Sequence, residues 1–185
     1  MEEVLMKSIF KLSACIVLAI TFVAGTAMSA ETREYQKLPA FSTKDLSGKL
    51  VSFDDVKGEK ATYITFWATW CKPCMAELPH LQELYEKYQE QGLQIIGMNE
   101  DTAKKTAKVK KAVNQKKLSY PILLDPTAEV GKKLGMPTEL PYGLLIDGNG
   151  NIIEKTIGFQ KGDEDALEKK IVKLLGLETS TEESN

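Results

Sequence analysis

The chain has 185 residues, 43% hydrophobic and 27% charged, which amounts to one globular domain with room for a small appendage and excludes wholesale disorder. Lys and Arg number 24 against 26 Asp and Glu, a formal net charge of -2, so no global basic field points to nucleic acid as the main partner. Three cysteines and one histidine leave little room for a metal site built from protein ligands.

From Leu12 to Ala30 there is no charge, and no second stretch of this kind follows, which excludes a polytopic membrane protein. Lys7 and Lys11 precede it, Ala14 to Ala24 is its most apolar part, and Ala27-Met28-Ser29 closes it with mostly small residues. A basic start, an apolar run and a small-residue exit predict a secretory signal over residues 1–29, cut after Ser29. Met6-Lys7 is a more ordinary beginning for such a signal than Glu2 and Glu3. Two alternatives stay open. Residues 12–30 reach the roughly 17–25 residues that span a bilayer, so they could remain as a membrane anchor. Leu12-Ser13-Ala14-Cys15 has the look of a lipobox, although Cys15 precedes most of the apolar run. Each reading exports the domain to the periplasm or the extracytoplasmic face of a bacterial membrane, where disulfide chemistry is ordinary.

Residues 38–176 read as one domain, with a polar tail over 177–185. Phe41–Leu46 and Lys49–Phe53 predict two short strands around Ser47-Gly48. Ala61–Trp67 is β-branched and aromatic without polar alternation, as a strand buried on both faces should be. After Cys74, Met75, Leu78, Leu81, Leu84, Tyr85 and Tyr88 fall at helical spacing, Gly92 ends the run, and Pro79 within it predicts a kink. Leu93–Met98 is a second buried strand. Thr102–Lys117 is a lysine-rich helix with Val109, Ala112 and Val113 inward. Its seven lysines from Lys104 to Lys117 are a solvated face, with docking to an acidic partner as the sharper alternative. Pro121–Leu124 is extended and Thr127–Leu134 is a short helix. Tyr142–Asp147 and Asn151–Ile157 make a hairpin at Asn149-Gly150, and Glu164–Leu175 closes the domain as a helix. Asp147, Asn149 and Asn151 begin like a calcium loop, but Ile152 and Gly158 stand where that loop needs Gly and Glu. The order of elements predicts an α/β layered domain with a mixed sheet.

Trp67-Ala68-Thr69-Trp70-Cys71-Lys72-Pro73-Cys74 joins the buried strand to the long helix. This places Cys71 at the helix N-terminus, where unpaired N–H groups and the helix dipole favour a thiolate. In such motifs a cysteine pKa falls from about 8.5 to roughly 3.5–7.5. Cys74, one turn inward, can resolve a mixed disulfide on Cys71 by attacking the same sulfur. Pro73 stiffens the turn and lacks an N–H that would go unpaired there. Rival uses of the pair fit less well. Zinc needs about four ligands, and Cys15 lies in the leader. Haem attachment needs a histidine after Cys74, where Met75 stands. A purely structural bridge across so small a loop constrains the unfolded chain little. His80 is read as a surface residue without a role.

WCKPC in this setting, with TFWATWCKPCMAELPHLQELYEKY and GLQIIGMNED around it, resembles the thioredoxin superfamily and within it the exported TlpA/ResA-like thiol-disulfide oxidoreductases. The redoxin or AhpC-TSA-like domains share this ground. The resemblance covers nearly all of residues 38–176. It implies a thioredoxin fold, a central mixed sheet flanked by helices, with extra N-terminal strands and a helical insert over 102–134. It also implies a cis-proline facing the dithiol. Pro141 before the apolar strand matches that place and Pro137 is the runner-up. Trp70, Pro73, Leu140 and Pro141 would line the substrate groove, with the Leu140 backbone pairing to an extended client. The implied activity is reduction of disulfides in client proteins, of the cytochrome c maturation type, with apocytochrome c as leading client and a membrane thiol donor keeping the pair reduced. No organic cofactor or metal is called for. A thiol peroxidase and a chaperone-like binding module remain as alternatives. Against the peroxidase, Ala68 stands where a threonine is expected. Thr65 occupies the strand position where many thioredoxins bury an acid, so another group must take the proton of Cys74. Glu100 is the expected acid/base, although Thr102 aligns better by simple counting with the glutamate sought there.

Overall fold

The computed structural model describes residues 35–177, so the expected leader over 1–29 and the segment Thr179–Asn185 lie outside the described residues. The elements in chain order are β1 (Ser42–Asp45), β2 (Leu50–Ser52), α1 (Phe53–Val56), β3 (Ala61–Trp67), α2 (Lys72–Tyr88), β4 (Leu93–Asn99), α3 (Thr106–Gln115), β5 (Ile122–Leu124), α4 (Glu129–Lys133), β6 (Tyr142–Asp147), β7 (Ile152–Ile157) and α5 (Asp163–Leu175). Among the described residues the strands form one sheet in the order β2-β1-β5-β4-β3-β6-β7.

β3 sits inside that sheet, parallel to β4 and antiparallel to β6, and all seven of its residues are buried. This is why its sequence lacks polar alternation. Its side chains still alternate between faces. Ala61, Tyr63 and Trp67 join Leu78 and Leu81 of α2 and Ile171 of α5 in one core. Ile64 and Phe66 join Phe41, Phe53 and Leu134 in the core on the other face. Thr65 shares the parity of Tyr63 and Trp67, and so faces α2.

The N-terminal strands are one residue shorter at each end than the sequence predicts, although the Phe53 N–H still donates to the Phe41 carbonyl at 3.2 Å. The rings of Phe41 and Phe53 meet at 5.7 Å, and Phe53 opens α1 behind a capping box formed by Ser52 and Asp55. The intervening turn is closed by Asp45, whose Oδ1 accepts from the N–H groups of Ser47 and Lys49. The insert is more than helical. Besides α3 and α4 it contributes β5, which runs parallel to β4 and antiparallel to β1, and so joins the N-terminal hairpin to the sheet.

Other boundaries move by a few residues. The expected helix over Thr102–Lys117 is a 3-10 turn at Ala103–Lys105 followed by α3, with Val109 and Ala112 buried and Val113 partly so. α4 is shorter than Thr127–Leu134, since Ala128 adopts a left-handed conformation, φ 55°. α2 runs as one helix from Lys72 to Tyr88 with Pro79 inside it. The β6–β7 turn falls at Asn149-Gly150, with Asp147 accepting from the backbone N–H and the side-chain amide of Asn151. Those acidic and amide residues therefore close a hairpin.

Candidate active site

β3 delivers its chain directly into the dithiol. Beyond Trp67 the backbone turns, and the Cys71 N–H donates to the Ala68 carbonyl at 3.0 Å. Cys71 then caps α2: its carbonyl accepts from the Met75 N–H at 3.1 Å, and its Sγ accepts from the Cys74 N–H at 3.2 Å. Pro73 lies in the first turn of the helix, where a missing N–H is harmless. Cys71 and Cys74 are joined by a disulfide, with their Cα atoms 5.3 Å apart. Cys71 is 5% exposed and Cys74 is sealed at 0%, while the neighbouring Trp70 is 60% exposed. The outer sulfur thus lies under the rim and the inner one is within the core. On reduction, the free N–H groups at the start of α2 favour a thiolate on Cys71.

The same end of the sheet carries the residues expected in the groove. The Leu140–Pro141 peptide is cis. Tyr142 follows it and pairs with Phe66 near the end of β3 and with Ile157 at the end of β7, and the Pro141 carbonyl accepts from the Gly158 N–H at 2.8 Å. Leu140 is half-buried and touches both cores. Pro137 lies four residues earlier, in the segment between α4 and β6. Trp70 and Ile157 leave large apolar surface exposed, and both sit at this end of the sheet.

One residue missing from the sequence reading is buried on the helix that follows the dithiol. Glu77 is 4% exposed, on the helix that carries Cys74 and one turn further along. Its Oε2 accepts from the Thr65 hydroxyl at 2.8 Å and its Oε1 from the Tyr63 hydroxyl at 3.3 Å. Gly143 on β6 makes room for this, since a side chain there would run into the hydroxyls of Tyr63 and Thr156. Burial pushes the Glu77 carboxyl up to about 7, against the two hydroxyl bonds that favour the ionised form. The strand position that lacks an acid is thus met by an acid from the facing helix. Spacing was the available signal: three after Cys74 and four before Leu81 puts Glu77 in the buried stripe of α2. A cavity of about 300 Å³ between α2, β7 and α5 is lined by Tyr63, Glu77, His80, Thr156 and Phe159 among others. His80 stands at that cavity half-buried, its ring 5.8 Å from that of Phe159.

Glu100 occupies a different place. It follows β4, and its N–H donates to the Trp67 carbonyl at 2.8 Å. Its carboxyl lies beside Asp125, with Oε1 buried and unpartnered. Burial first, and the Asp125 charge second, push it up to about 8. Asp125 is held by the Gly131 N–H at 2.7 Å. Among the described residues no three His, Cys, Asp or Glu side chains converge to hold a metal ion.

The sheet, the helix-capping dithiol and the cis-proline at the same end of the sheet define a class, the thioredoxin-fold proteins with a redox-active cysteine pair. Comparison with known proteins agrees. The model of the AhpC/TSA family matches residues 35–155, and the chain belongs to that family. The thiol-disulfide oxidoreductase ResA of Bacillus thuringiensis subsp. konkukian is 36% identical over 174 residues, 94% of this chain and 97% of the relative. A solved structure from Chlorobium tepidum, described as a candidate thiol:disulfide interchange protein DsbE, aligns with a TM-score of 0.70 and 30% identity, covering 77% of this chain and 97% of that one. A thiol:disulfide interchange protein from Bacteroides sp. aligns with a TM-score of 0.65 and 27% identity, covering 80% and 92%. The fold is the thioredoxin fold, and the chain is a thiol-disulfide oxidoreductase.

Proposed function

We propose that this protein reduces disulfides in client proteins outside the cytoplasm, with Cys71 as nucleophile, Cys74 as resolving thiol and Glu77 as the acid/base. The carrying observation is the sealed Cys74 on the same helix as the buried Glu77 carboxyl. The Cys71 thiolate attacks a client disulfide, forming a mixed disulfide and releasing one client thiolate. Glu77 accepts the Cys74 proton, the Cys74 thiolate attacks the Cys71 sulfur, and the second client thiolate leaves. The Cys71–Cys74 disulfide remains, and two electrons have passed to the client. A membrane thiol donor returns them by the reverse exchange. Trp70, Pro73, Leu140 and Pro141 form the groove that seats the client, and Trp70 limits approach to the sulfur. Glu100 is the second choice for the acid/base, favoured by its own raised carboxyl.

Export rests on the leader over residues 1–29, cleaved or kept as an anchor. Likeness to TlpA/ResA-like reductases makes apocytochrome c the first client to try. Replacing Cys74 with Ala should trap mixed disulfides with clients on Cys71, visible on non-reducing gels and identified by mass spectrometry. Replacing Cys71 with Ala should abolish both exchange and trapping. A Cys74→Ala protein that accumulates no adduct reverses or removes these roles.

A further inference from the structure

The turn that presents Cys71 is held from outside by one carboxylate. The bond from the Cys71 N–H to the Ala68 carbonyl closes the turn but leaves the Thr69 N–H without a backbone partner. Asp101 supplies one. Its Oδ2 accepts the Thr69 N–H at 2.6 Å and its Oδ1 accepts the Thr69 hydroxyl at 2.8 Å. Both the backbone and the side chain of one residue are therefore gripped by both oxygens of another.

Asp101 is itself fixed. Its Oδ2 also accepts from Asn99 Nδ2 at 3.1 Å, and its N–H donates to Asn99 Oδ1 at 3.1 Å. Asn99 is fully buried and pairs with Trp67 across β3 and β4, so the clamp is anchored on the strand beside the turn. Asp101 is 3% exposed, and among the described residues no Lys, Arg or His lies within ion-pair distance of it. A buried carboxylate without a cation is retained only where its hydrogen bonds are complete. Here those bonds go to Thr69 and Asn99, two residues before Cys71 and on the strand next to it.

We infer that Asp101 is a positioning residue for the dithiol: anchored by Asn99, it grips Thr69 and thereby sets the Ala68–Cys71 turn that aims Cys71 at the start of α2. This rests on the reading of Cys71 as the attacking thiol. The dependence on geometry is steep, since a displacement of about 1 Å at a reacting group can lower a rate roughly hundredfold. Asp101 acts through Thr69, without touching the client.

The test compares the full-length protein with its Asp101→Ala, Asp101→Asn and Thr69→Val variants, using oxidised glutathione as the disulfide. The rate of its reaction with the reduced protein is followed by tryptophan fluorescence across pH, which also yields the Cys71 titration. Asp101→Ala should react roughly ten- to hundredfold more slowly, with Cys71 titrating nearer the free-thiol value of about 8.5. Asp101→Asn keeps an oxygen for the Thr69 N–H and should recover the rate to within about threefold. Thr69→Val loses the hydroxyl arm alone and should fall between. A folded Asp101→Ala protein with wild-type rate and Cys71 titration overturns the inference, as does Asp101→Asn matching the damage of Asp101→Ala, which would make the charge rather than the grip responsible. If Asp101→Ala fails to fold, Thr69→Val decides: an intermediate rate supports the clamp and a wild-type rate overturns it. A wild-type protein inert toward oxidised glutathione sinks the dithiol reading itself, and this inference with it.

Discussion

Glu77 and Glu100 are both pushed far above an ordinary carboxyl, to about 7 and about 8, by surroundings of opposite character. Glu77 lies between α2 and β3, where each oxygen meets a hydroxyl. Glu100 lies where β4 and β5 end, beside a second carboxylate, with one oxygen unpartnered. A raised carboxyl therefore marks burial in both places and a role in neither by itself. Connection to the sulfurs separates them. Glu77 rides the helix that carries Cys74, whereas Glu100 is tied by its backbone to Trp67, ahead of the turn.

The largest test of this contrast is Glu77→Gln. The amide keeps an oxygen for the hydroxyls but cannot take a proton. Decay of the mixed disulfide by Cys74 attack should slow about a hundredfold near neutral pH, the low end of what a positioned base contributes. Formation of the mixed disulfide by Cys71 should stay unchanged. Stopped-flow fluorescence separates the two phases, and unchanged decay would remove Glu77 from the mechanism. Stability should respond as well. The fold favours the protonated carboxyl, so this contribution is fully present below the unfolded value near 4.5 and is lost as pH rises through about 7. The limiting loss is about 3 kcal/mol for a group this buried. Urea unfolding at about pH 5 and about pH 8 should show that slope in the wild type and not in Glu77→Gln.

Glu100→Gln should act more weakly and elsewhere. Its window has the same sign and runs up to about 8, so the variant should be more stable than wild type at alkaline pH. Because Glu100 is only half-buried, the gain should be smaller than that from Glu77→Gln. Mixed-disulfide decay should stay within about twofold of wild type. A slowed decay in this variant, with none in Glu77→Gln, would exchange the two roles.

Much of the site was legible because its signals are local. The run ATYITFW and the CKPC spacing declare themselves within a few residues, whereas Pro141 is singled out by the family resemblance. The buried acid does not declare itself, because it is a joint signal. Thr65 is a missing acid on a strand, and Glu77 is one glutamate on a helix of mixed polarity. Their meeting depends on which face of β3 the helix covers. The same reason hid Asp101, an aspartate after a strand whose partner lies 32 residues away. The strand end at Phe53 moved because Phe53 opens the helix capped by Ser52 and Asp55. The partners of β5 could not be read from three residues.

The two hydroxyls on Glu77 give the finest test. Thr65 donates over the shorter distance, 2.8 Å, to Oε2. Tyr63 donates over 3.3 Å to Oε1 and also meets Thr156 Oγ1 at 3.2 Å. Burial and the nearby Glu77 charge hold the Tyr63 phenol well above its ordinary value, so it stays protonated and can only donate to the carboxylate. Both bonds favour ionised Glu77, so removing either should move its titration upward and carry the pH dependence of mixed-disulfide decay with it. Thr65→Val keeps the shape and strips Oε2 of its partner. It should give the larger upward move, with a stability cost of about 1–3 kcal/mol for the polar group left unpaired. Tyr63→Phe removes the longer bond and should cost about 0.5–1.5 kcal/mol, with a smaller move in the same direction. Measured as pH–rate profiles of the decay phase, an order of wild type, Tyr63→Phe, Thr65→Val from lowest to highest midpoint ties the titrating group to Glu77. Midpoints that coincide in all three would mean that the proton of Cys74 goes to another group.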